Sequence, residues 1–190
     1  MDMNIYNYIV ISVLVTTLYS CNNNSDFLIE KDRVGMLTNK TKISELESIF
    51  SADSLVVELS KKVTEGKINK YFNEDDQYFV YEKGGKHLLT IVPMKLQDSL
   101  STIKSIEIFD NRYKTKSNIS LFSPFKDINS AYRISITNTL LSAHIDIDEL
   151  NATMSIGKKE IGINEFNREE INPDQIPDLA NIQHFTVWFN

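Results

Sequence analysis

His144, Asp146 and Asp148 alternate with Ile145 and Ile147. On an extended strand successive side chains point to opposite faces, so these three polar groups share one face. An imidazole and two carboxylates in that arrangement could ligate a divalent metal and serve a metal-dependent enzyme or a hydrolase. The same spacing also reads as the solvated face of a half-buried strand. Asn73-Glu74-Asp75-Asp76 is a second oxygen-rich cluster, placed just before a strand. It offers oxygen ligands of the kind calcium takes but lacks the spacing and glycine of an EF-hand loop, and it reads first as a solvated turn. His87 and His184 fall singly on predicted strands, where a structural or surface role suffices. No Gly-x-Ser-x-Gly elbow, phosphate-binding glycine loop or His-Glu-x-x-His pair occurs in the chain. Short motifs therefore give no positive argument for catalysis, and no cofactor is expected.

The remaining reactive group is the thiol of Cys21, the only cysteine in the chain. Residues 9–18 before it are Ile-Val-Ile-Ser-Val-Leu-Val-Thr-Thr-Leu. This run is too short to span a bilayer, which takes about 20 apolar residues. It matches the apolar region of a secretory signal, about 7–15 residues long. Leu18-Tyr19-Ser20-Cys21 then has the form of a lipobox, in which a small residue precedes a cysteine that is acylated after cleavage. The pattern departs from the usual one in a single respect: Asp2 stands ahead of the apolar run, with no Lys or Arg. The expected organisation is a signal peptide over 1–20, a lipidated cysteine and short polar tether over 21–26, and a domain over 27–190. Acyl chains on Cys21 would hold the protein to a membrane, each buried methylene contributing about 0.8 kcal/mol. Acylation also removes the only thiol, which excludes a disulfide framework, a cysteine zinc site and a cysteine nucleophile. The formal charge of −6 disfavours nucleic acid or an anionic lipid surface as a partner.

The elements that must position any site read as α+β. Tyr78-Phe79-Val80-Tyr81 and residues 87–92 flank Lys83-Gly84-Gly85-Lys86, a strong hairpin signal, because glycine supplies the positive φ of a tight turn. Further strands are expected over 102–109, 134–141, 143–147 and 152–156, with a final apolar strand over 182–189 docked into the sheet. Aromatic residues are frequent, and Tyr71, Phe72, Tyr78, Phe79 and Tyr81 either fill the core or line a ligand groove. Two segments 82 residues apart resemble each other, 35–50 and 117–132. In each a hydroxyl residue, Thr41 or Ser123, is placed to cap a short helix. Ile43, Leu46 and Phe50 match Phe125, Ile128 and Tyr132, at i, i+3 and i+7 on one helical face. The expectation is a mainly antiparallel sheet with short amphipathic helices and two pseudo-repeated halves, over 27–101 and 102–190.

With its lipobox and the following Asn22-Asn23-Asn24, the chain resembles uncharacterised envelope lipoproteins of the Bacteroidota. Asp53-Ser54-Leu55 and Asp98-Ser99-Leu100 are similar to the Asp-Ser/Thr-apolar acceptor of O-glycosylation in that group. The resemblance implies Ser54 and Ser99 as glycosylation candidates, Ser99 in a loop and Ser54 at the buried start of a strand. It also implies anchorage to the outer membrane, facing the periplasm, through acyl chains such as palmitate. The function expected is binding or scaffolding, with another envelope protein or a small ligand as partner. The alternative is a periplasmic hydrolase or metal-dependent enzyme using His144, Asp146 and Asp148.

Overall fold

The structure, a computed structural model, describes residues 26–60, 75–164, 166 and 168–189. The expectations on the leader, Cys21, Tyr71, Phe72, Asn73 and Glu74 lie outside the described residues. The chain begins with three short strands, β1 (Leu28–Glu30), β2 (Arg33–Val34) and β3 (Leu37–Thr38), and a short helix α1 (Leu46–Ile49). A four-stranded meander follows: β4 (Ser54–Glu58), β5 (Gln77–Tyr81), β6 (His87–Pro93) and β7 (Ile103–Ile108). Then β8 (Lys114–Thr115) and α2 (Phe125–Ala131) lead into a second meander, β9 (Ser135–Asn138), β10 (Ser142–Ile147), β11 (Ala152–Gly157) and β12 (His184–Trp188). A single helical turn, α3 (Lys158–Ile161), separates the last two. The fold is α+β, mainly antiparallel, as its alternating strands and two short amphipathic helices dictate.

Both meanders join one eight-stranded antiparallel sheet in the order β4-β5-β6-β7-β12-β11-β10-β9. The junction is the pair β7–β12, so the terminal strand is central. A small second sheet, β3-β2-β1-β8, sits at the N-terminal side. Strict alternation decides which face of the large sheet is covered. Ile106, Ile108, Ala143, Ile145, Met154, Ile156, Phe185 and Val187 point to one side and are buried. The same core takes in Leu46 of α1 and Phe125 and Ile128 of α2. The other face carries Ser, Thr, His, Asp and Glu side chains.

Some backbone hydrogen bonds recur at the expected offset of 82. Phe50 N–H donates to Leu46 O, and 82 residues on Tyr132 N–H donates to Ile128 O. Ile43 N–H reaches Ser101 O, and Phe125 N–H reaches Ala180 O. Thr41 and Ser123 do not cap their helices forward. Each hydroxyl accepts from the backbone three residues back, Thr38 N–H and Ser120 N–H, both at 3.0 Å. At the first helix Glu45 Oε2 instead accepts from Lys42 N–H, at 2.9 Å. β7, which closes the first meander, lies past residue 101.

Asp76 departs from the expected solvated turn. It is wholly buried, and its carboxylate accepts from Ser60 N–H at 2.8 Å and Ser60 Oγ–H at 2.7 Å. Gln97 N–H donates to its other oxygen, and Gln97 Nε2–H donates to Ser60 O. The carboxylate thus fastens β4's end, β5's start and the β6–β7 loop. Burial alone would raise its pKa, but these donors hold it below the usual carboxylate value.

Candidate functional site

The uncovered face can be read row by row from the register. Asp146, Thr153, Thr186, Glu107, Thr90 and Phe79 are cross-strand neighbours in succession from β10 to β5. His144, Ser155 and His184 form the next row across β10, β11 and β12. Directly paired residues share a face, so both rows project away from the core. Over the β7–β10 part of this face runs an open groove of about 540 Å³. Its walls include Glu107, His144, Asp146, Thr153, His184 and Trp188.

Hydrogen bonds fix several of these side chains. Trp188 Nε1–H donates to Thr153 Oγ1 at 3.1 Å, and Thr153 Oγ1–H donates to Asp146 Oδ1 at 2.8 Å. One hydroxyl therefore links the indole to the carboxylate. On the opposite wall His184 Nδ1 lies 2.6 Å from Glu107 Oε1. Leu141, which is exposed, adds apolar surface. Such a mixture of a few converging polar groups with aromatic and apolar surface is what a ligand site requires.

The sequence-derived metal set is divided. His144 and Asp146 stay together on the groove face, but β10 ends at Ile147. Asp148 opens the turn to β11, where it is exposed and its carbonyl accepts from Asn151 N–H. Among the described residues no three His, Cys, Asp or Glu side chains are grouped to hold a metal ion. Ser99 is in an exposed loop. Ser54 does open β4, but it is exposed rather than buried, because β4 is an edge strand. Phe79 and Tyr81 lie on the uncovered face, whereas Tyr78 packs against the core.

The same face of the first meander carries aromatic side chains. The pair Glu107–Thr186 sits at the junction of the units, and register outward from it matches Thr90 with Thr153, Phe79 with Asp146 and Phe109 with Trp188. Phe109 N–H donates to Leu88 O as Trp188 N–H donates to Asn151 O. In the first unit an irregularity in the β5–β6 pairing swings His87 onto this face. Its ring stacks on Phe109 at 3.9 Å and on Tyr81 at 4.8 Å between centroids. His87 Nε2 also lies 3.1 Å from Thr90 Oγ1. Desolvation pushes the His87 pKa below its ordinary value, so it is a neutral packing group at pH 7. At the matching register positions the second meander has a carboxylate, Asp146, in place of Phe79 and an indole, Trp188, in place of Phe109.

Sequence reasoning did not single out Glu107, Thr153 or Trp188. They come from three strands that are distant in the chain, and each is an ordinary polar or aromatic outward position on its own strand. The available signal was that outward phase, once β12 was known to neighbour β7 and β11.

No family model matches the chain, and no curated protein matches it. A solved structure, that of the uncharacterized protein yfeY from Escherichia coli, superposes with a TM-score of 0.48 and 15% sequence identity. The match covers 85% of this chain and 99% of that one. A likeness at this level carries no function across.

Proposed function

We propose that this protein is a lipid-anchored cell-envelope binding module. Acyl chains on Cys21 hold it to the outer membrane on the periplasmic side, and the uncovered sheet face of its second unit binds a small ligand or a segment of another envelope protein. The observation that carries the binding reading is the groove, in which Asp146, Thr153 and Trp188 are joined by hydrogen bonds beside His144 and the Glu107–His184 pair. The lipobox supports the anchor. The recurrence of backbone hydrogen bonds at an offset of 82 supports descent from a duplicated unit. Ser99, and less so Ser54, stand as exposed O-glycosylation acceptors.

The test is a photo-crosslinking amino acid placed in cells at His144, in the groove, or at Lys126, on exposed α2. A discrete adduct from position 144 and not from 126 supports the reading. Equal, diffuse labelling from both positions overturns it.

A further inference from the structure

We propose that the groove binds an extended organic cation, with amino groups at its two ends and an alkyl stretch between them, of the linear polyamine class. The inference rests on reading the groove as a binding site. Among the described residues, none that lines it is Lys or Arg, while Glu107 and Asp146 stand on opposite walls. Charge complementarity therefore selects a positive occupant. The two carboxylates belong to β7 and β10, three strand spacings apart, which is about 14 Å at roughly 4.8 Å per spacing. That separation suits two positive groups on one long molecule better than a single compact cation.

Trp188 lies on β12, between those strands. Its Nε1–H is committed to Thr153, so the indole is held by the same hydroxyl that donates to Asp146. An ammonium at Asp146 is thereby placed near the indole. Methylene groups can pack on the indole and on Leu141. At the other end His184 occupies Glu107 Oε1. Comparison of the two units strengthens the assignment. Counted outward from the Glu107–Thr186 pair, the place of Asp146 is taken in the first meander by Phe79, an uncharged ring beside His87.

Trp188 is the only tryptophan in the chain, so intrinsic tryptophan emission reports on this groove alone. The experiment titrates the full chain, in non-ionic detergent, with spermidine, maltose and citrate in turn. The expected result is a saturable emission change with spermidine only, weakened roughly tenfold by Asp146→Asn through loss of a charge-assisted contact. Glu107→Gln provides the same test should Asp146→Asn fail to fold by circular dichroism. A saturable response to maltose or citrate but not to spermidine overturns the cation assignment and leaves the groove as a binding site. Spermidine binding unchanged in both variants places the cation elsewhere and also overturns the assignment. No response to any of the three overturns both the cation assignment and the groove reading.

Discussion

Asp76 and Asp110 each turn a buried carboxylate into a structural fastener. Asp76 satisfies Ser60 and Gln97, and Asp110 accepts from Arg112 Nε and Nη2 and pairs with Lys86 at 2.9 Å. Arg112 in turn reaches Glu82 and lies over the Phe27 ring, tying the start of the domain to the sheet. Replacing Asp76 by Ala strands buried donors and should cost about 2–3 kcal/mol, read from urea unfolding midpoints. Burial raises the Asp110 pKa, but its hydrogen bonds to Arg112 outweigh this and bring it down to about 2. A folded-state value depressed below the unfolded value of about 3.9 means stability that is present above that value and lost as pH falls through about 2. The urea midpoint should therefore drop steeply between about pH 4 and pH 2, and Asp110→Asn should flatten that drop. In contrast, His144→Ala changes a half-buried groove side chain. It should move stability by no more than about 0.5 kcal/mol while altering whatever the groove binds, as calorimetry on the same sample would show.

At the scale of elements, β12 decides the architecture. It pairs with β7 on one side and β11 on the other, so it is the seam between the two meanders. Deleting residues 184–190 removes Phe185 and Val187 from the core and leaves two strand edges unpaired. The expected outcome is loss of the folded protein, seen as loss of native circular dichroism and of resistance to trypsin. Phe185→Ala, a milder change at the same place, should cost about 3–5 kcal/mol by leaving a cavity. The irregularity opposite Tyr81 turns His87 outward into the stack with Phe109.

At the scale of the molecule, the proposed anchor has a test of its own. Cys21→Ser should move the protein from the membrane fraction to the soluble fraction on cell fractionation. Persistence in the membrane fraction would remove the lipobox reading. The sequence by itself determined the anchor signature, the hairpin at Gly84-Gly85, the α+β class and the outward phase of His144 and Asp146. These follow from local rules: apolar run length, positive-φ glycine and the period of two along a strand. In the sequence an offset of 82 holds only around the helices. Unequal loops change the offset among the strands, so Phe79 and Asp146, or Phe109 and Trp188, cannot be matched by counting. Only the tertiary structure decided that β12 lies between β7 and β11, that Asp148 falls past the end of its strand, and that Asp76 is a buried clasp. The reason is physical: a groove wall is assembled across strands by register, and register is set by which apolar face each strand must bury against the shared core.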